Sequence, residues 1–115
     1  MATILVVEDD PGIRALLAEL LPMDGHTVRV AEDGLAALAE VGREPPDLVL
    51  SDLMMPNLDG IGLHARLAQN GHRIRVVFMS ANPQLAAGLG VPVVAKPFHV
   101  PDLFATLTAA LVTGA

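Results

Sequence analysis

The sequence predicts an α/β fold in which helices cover both faces of a parallel sheet. Short apolar runs alternate along the chain with segments of helical period, the pattern of a parallel sheet whose crossovers are helices. Four of the five runs lack polar alternation, as strands do when both sheet faces are covered. A chain of 115 residues has the size of one domain, so residues 1–115 are expected to form it. With 52% hydrophobic residues the chain can fill a core, which argues against disorder.

The five runs are Ile4–Val7 (ILVV), Val28–Ala31 (VRVA), Leu48–Leu50 (LVL), Val76–Met79 (VVFM) and Val91–Ala95 (VPVVA). They are rich in β-branched residues and bounded by Gly, Pro, Asp and Asn, which favours strands over short helices. Arg29 interrupts the second run and points to a strand near a sheet edge. Pro92 has no N–H for a ladder, so it belongs on an edge strand or at a strand's start. Between the runs, Ile13, Leu16, Leu17, Leu20 and Leu21 recur at three- and four-residue spacing, an amphipathic stripe. Leu35, Leu38 and Val41 repeat the pattern, and Ile61, Leu63, Leu67 and Ala68 do so less regularly. The last stripe, Leu103, Leu107 and Leu111, follows Pro101-Asp102, a helix start. The weakest element is Asn82–Gly90 (NPQLAAGLG), where two glycines leave space for barely two helical turns.

Several classes are excluded by composition. The net charge is −6, and the seven Lys and Arg are dispersed, with no basic stripe or aromatic platform for nucleic acid. The absence of cysteine removes disulfides and thiolate metal sites. The opening MATILVVEDD lacks the basic region of a signal peptide and runs into three acids. No apolar run approaches the roughly 18 residues of a membrane-spanning helix. A cytoplasmic protein without membrane insertion or direct nucleic-acid contact is expected.

In open parallel α/β sheets, ligands bind beyond the carboxyl ends of the strands. Glu8, Asp9 and Asp10 follow the first run, Ser51 and Asp52 the third, Ser80 the fourth, and Lys96, the only lysine, the fifth. Carboxylates gathered at one edge raise one another's pKa, and holding one at the lip of a core adds a desolvation cost. A hard divalent cation relieves both, and oxygen-only ligands with open water positions suit Mg²⁺. Metal and lysine together form a receptacle for an anion, with phosphate the natural candidate.

ILVVEDD, SDLMMPNLDG, MSA and AKPF, in this order and in these strand contexts, resemble the receiver domain of two-component response regulators, of the chemotaxis-regulator type. The resemblance runs from Thr3 to Val112. It implies a five-stranded parallel sheet of flavodoxin-like order 2-1-3-4-5 between helices, here with a shortened fourth helix, and a phosphorylation-controlled signalling switch. Asp52 is then the phosphoacceptor, attacking a phosphohistidine on a sensor histidine kinase or a histidine phosphotransfer protein. Asp9 would hold Mg²⁺ directly and Glu8 through water, with Asp52 and the carbonyl of Met54 as further ligands. Lys96 would pair with one phosphoryl oxygen and Ser80 with another, moving toward it on activation. The peptide bond between Lys96 and Pro97 is usually cis in the family. Met54 and Asn82 occupy the positions that tune dephosphorylation, and the apolar Met54 implies slow hydrolysis. Such a domain catalyses its own phosphorylation and dephosphorylation and turns over no separate substrate.

Two departures from the family stand out. Val93 occupies the position, three before the lysine, where most receivers carry a Tyr or Phe ring that swings inward. The coupled switch of Ser80 and that ring cannot work here in its usual form. Only fifteen residues separate Ser80 from Lys96, fewer than in most members, and the missing length falls on NPQLAAGLG. This predicts a remodelled or disordered fourth-helix region and an atypical output surface. Both departures leave open an alternative, a degenerate receiver acting as a phosphorylation-independent interaction module, against which the intact Asp52, Lys96 and Ser80 argue. A third reading is an Mg²⁺-dependent phosphohydrolase with an aspartyl-phosphate intermediate, but such enzymes usually need an aspartate where Met54 stands. Asp10 reads as a helix-start residue, and Asp33 and Asp59 as caps. His26, His64, His72 and His99 read as surface residues, and Met54, Met55 and Met79 as packing residues. With no segment after the last helix to carry an output, the switch is expected to act on a downstream target elsewhere.

Overall fold

The computed structural model describes residues 2–113. In chain order the elements are β1 (Thr3–Val7), α1 (Pro11–Met23), β2 (Thr27–Ala31), α2 (Gly34–Arg43), β3 (Leu48–Asp52), α3 (Gly60–Gln69), β4 (Arg75–Ser80), a 3₁₀ turn (Pro83–Ala86), β5 (Val93–Ala95) and α4 (Val100–Thr113). The strands form one parallel sheet of order β2-β1-β3-β4-β5, as the resemblance implied. Arg29 and Pro92 mark the two edges. Arg29 on β2 donates to the Glu44 carbonyl at 2.7 Å and to Glu40 Oε2 at 2.8 Å, so its charge is met by the end of α2. Pro92 lies just ahead of β5, and its carbonyl accepts the Phe78 N–H at 2.9 Å.

Successive side chains of a strand point to opposite faces, which divides the core in two. Leu5, Val7, Val49 and Phe78 meet Ala37 and Val41 of α2 and Leu63 and Leu67 of α3 on one face. Ile4, Val6, Leu48, Leu50, Val77 and Met79 meet Leu17 and Leu21 of α1 and Leu103 and Leu107 of α4 on the other. The buried stripes are narrower than the sequence spacing suggested, because Leu16, Leu35 and Ile61 are exposed. In each of these three helices an i, i+4 pair is buried (Leu17 and Leu21, Ala37 and Val41, Leu63 and Leu67), while neighbours such as Leu38 are only partly covered. Asp33 and Asp59 cap their helices as expected, and Asp10, expected in the first turn of α1, caps it from outside. Asp10 accepts the Gly12 N–H, Asp33 the Ala36 N–H and Asp59 the Gly62 N–H, at 2.7–2.8 Å.

The shortened fourth helix is reduced to the 3₁₀ turn, so the fourth α-helix of the chain is the one expected fifth. Gly88 and Gly90 follow with φ of 84° and 69°, backbone that a side chain would strain. Ala86 is buried against the core, whereas Leu85 and Leu89 are exposed. One surface assignment and one packing assignment are corrected by the structure. Of the histidines only His99 is exposed; the His26 side chain is 8% accessible, and His64 packs edge-on against Phe78 with centroids 6.0 Å apart. Met54 is 67% exposed and belongs to neither core cluster, while Met55 and Met79 do pack the core. Among the described residues, no helix is long and apolar enough to cross a membrane.

Candidate functional site

Register builds the site. Val7 pairs with Ser51 between β1 and β3, so the next residues, Glu8 and Asp52, emerge side by side. Asp52 pairs with Met79 of β4, which places Ser80 one residue further along, and Ser80 pairs with Ala95, which places Lys96 likewise. The side chains singled out at strand ends therefore gather at one edge of the sheet.

Lys96 links the two inner carboxylates. Its Nζ donates to Glu8 Oε1 at 2.6 Å and to Asp52 Oδ2 at 2.9 Å. Glu8 is fully buried, and the Asp52 side chain is 14% accessible. Asp9 stands at the exposed mouth, and carboxylate oxygens of Glu8, Asp9 and Asp52 all lie within 4.8 Å of one another. Two carboxylates thus share one ammonium, with a third close by at the mouth. Burial pushes Glu8 up to about 7; the bond from Lys96 opposes this, and the neighbouring Asp52 adds to it. For Lys96, burial pulls the pKa down, but the bonds to Glu8 and Asp52 outweigh it and hold the ammonium above its ordinary value.

Ser80 Oγ accepts the Asn82 N–H at 2.9 Å, which ties the hydroxyl to the start of the shortened segment. Val93 is half-buried against the core and presents no ring. The peptide between Lys96 and Pro97 is cis. Met54 lies on the loop just after Asp52, with its side chain in solvent.

Several residues with no role legible in the sequence support the site. Arg14 Nη1 donates to the Glu8 carbonyl at 2.9 Å, and Ser51 Oγ donates to the Asp52 carbonyl at 2.8 Å. A Cβ on Gly60 would lie 2.4 Å from the Asp52 carbonyl oxygen, so α3 reaches the strand end only because that residue is glycine. An apolar cavity of about 380 Å³ opens beside Lys96, walled by Ile13, Leu16 and Leu20 of α1 and by Pro97, Phe98 and Val100. The exposed Leu16 was a hint that the sequence stripe alone could not separate from core.

A family model described as response regulator receiver domain matches residues 4–108. Response regulator MprA of Mycobacterium ulcerans is 34% identical over 114 residues, which cover 94% of this chain and 49% of the relative. Transcriptional regulatory protein TcrA of Mycobacterium tuberculosis is 39% identical over 112 residues, 92% of this chain and 44% of the relative. The chain spans about half the length of these curated relatives. Among solved structures, the receiver domain of NtrX from Brucella abortus matches with a TM-score of 0.88 at 33% identity, covering 96% of this chain and 98% of that one. Chemotaxis protein CheY4 of Vibrio cholerae matches with a TM-score of 0.83 at 27% identity and the same coverage. With its sheet order, its acidic cluster and these likenesses, the chain belongs to the receiver domains of two-component response regulators.

Proposed function

We propose that residues 1–115 form a receiver that accepts a phosphoryl group on Asp52 from a sensor histidine kinase or histidine phosphotransfer protein, in the cytoplasm, and then changes its interaction surface. The observation that carries this reading is the ammonium of Lys96 shared between Asp52 and Glu8, with Asp9 at the mouth. An Asp52 carboxylate oxygen bonds to phosphorus as the bond from phosphorus to the donor's imidazole nitrogen breaks and that nitrogen keeps the electron pair. Asp52 is fixed for this attack by a rigid strand end. Lys96 then exchanges the carboxylate for a phosphoryl oxygen. Ser80 Oγ is an acceptor in its bond from Asn82, so its own proton is available to a second phosphoryl oxygen.

The donor set suits Mg²⁺: the clustered oxygens are all carboxylate, and a carboxyl held near 7 is one that a cation would ionise. Asp9, Asp52 and the Met54 carbonyl would hold the ion, with Glu8 behind them through water. When bound, it neutralises charge developing on the transferring phosphoryl group. The apolar cavity beside Lys96 is the seat proposed for a helix of the protein donor, because a partner docked there brings its histidine to the same sheet edge. The exposed thioether of Met54 would screen water from the acyl phosphate and slow its hydrolysis.

The test is intact mass after incubation with Mg²⁺ and acetyl phosphate, beside Asp52→Asn. One added phosphoryl group, absent without Mg²⁺ and absent in the variant, is expected. No gain from the small donor or from a kinase would favour the phosphorylation-independent module, which Val93 and the single 3₁₀ turn make the second reading.

A further inference from the structure

The loop between β3 and α3 contains the one non-glycine residue with positive φ among the described residues, Asn57 at 70°. The Leu58 N–H donates to the Pro56 carbonyl at 2.8 Å, closing a three-residue turn around Asn57. A turn of that hand is rare and strained, although asparagine tolerates it better than most residues. Strain of this kind persists only where the surroundings hold it. Here they do so at two adjacent points. Asn57 Nδ2 donates to Asp33 Oδ2 at 2.8 Å, while Asp33 Oδ1 keeps its cap on the Ala36 N–H. Next to Asp33, a Cβ on Gly34 would lie 2.3 Å from the Leu58 carbonyl oxygen, so the loop presses directly on the start of α2.

The other end of the loop is fixed as well. The Leu53 N–H donates to the Met79 carbonyl at 3.1 Å, and the Gly60 N–H to the Leu53 carbonyl at 2.9 Å. Met54 lies between these anchors. Its exposed side chain anchors nothing itself; buried Leu53 and core-packed Met55 hold the chain on either side, and the closure of the loop sets the backbone between them. We propose that Asn57 and Asp33 are positioning residues: their cross-loop bond fixes the Met54 carbonyl for the divalent cation. The proposal rests on the magnesium reading of the Asp52 site.

Mg²⁺ is titrated calorimetrically into the metal-free wild type, Asn57→Gly, Asp33→Ser and Asp33→Asn. Glycine keeps the positive φ without the amide. Serine keeps a cap for α2 but is too short to reach Asn57, whereas asparagine can keep both bonds if the Asn57 amide turns over. The dissociation constant is expected to rise roughly threefold to tenfold in Asn57→Gly and Asp33→Ser and to stay near the wild-type value in Asp33→Asn. Amide exchange at Met54 and Met55 should quicken in the first two variants even without metal. Wild-type binding with unchanged affinity in Asn57→Gly and Asp33→Ser would overturn the inference alone, whatever their melting temperatures. An equal loss in Asp33→Asn would overturn it too, because the charge of Asp33 and not the clasp would then matter. A wild type that takes up no Mg²⁺ would sink the metal reading and the inference with it.

Discussion

Glu8 is the residue whose chemistry depends most on its surroundings. Its folded pKa, about 7, lies above the ordinary 4.5, so between those values the folded chain binds a proton that the unfolded chain has released. Stability contributed by that proton is complete below about pH 4.5 and is lost as pH rises through about 7. Metal-free wild type should therefore lose on the order of 1–3 kcal/mol across this window relative to Glu8→Gln, whose side chain does not titrate. Urea unfolding of both at several pH values checks it; parallel curves would contradict the assignment. Mg²⁺ affinity should rise over the same interval, since the cation competes with that proton. Gly60 is a second residue set by its neighbours. Gly60→Ala should cost about 1–3 kcal/mol, with phosphorylation impaired, because the new Cβ meets the Asp52 carbonyl. Gly42→Ala on α2, where a Cβ meets nothing within 4 Å, should instead stabilise by about 0.5–1 kcal/mol. Denaturation midpoints of opposite sign are the expected result.

Elements were legible to different degrees. Strands could be read because both faces of this sheet are covered, so an uninterrupted apolar run had no other good explanation. Arg29 told edge from centre by a charge that a fully covered strand would not carry, and Pro92 by the donor a ladder would miss. Helical faces were less clear: spacing grouped Leu16 with Leu17 and Leu35 with Leu38, yet only contact with the sheet decides which apolar residues of a stripe turn inward. Glycines and a short count revealed the weak segment, although not that its remnant would be a 3₁₀ turn. That segment should be the least protected connection in the molecule. Backbone amides from Ala87 to Gly90 should exchange far faster than those of β4, since few contacts hold them; protection equal to β4 would refute this. The Asn57–Asp33 bond, joining residues 24 apart, left no signal in the sequence.

At the scale of the molecule, strand order does the assembly. Placing β1 and β3 side by side at the centre sets Glu8 and Asp52 together, and β4 and β5 then add Ser80 and Lys96 in sequence. The acids and the lysine were therefore readable as a site once a parallel sheet was inferred. The cavity between α1 and the Lys96–Val100 segment was not, because it depends on how α1 lies against the sheet. Leu16→Glu at its wall should reduce phosphotransfer from a protein donor by about tenfold or more, as loss of a central apolar anchor does, and reduce labelling by acetyl phosphate much less. Equal losses with both donors would remove the cavity from the docking proposal.

Lys96 is the only lysine in these 115 residues, and its side chain is 17% accessible. Amine-directed reagents consequently have one side-chain target here, and its nitrogen is occupied by two carboxylates. Acylation at that single position becomes a clock for how often the ammonium leaves its partners. The molecule thus contains its own chemical reporter, one that should run at different speeds before and after Asp52 is modified.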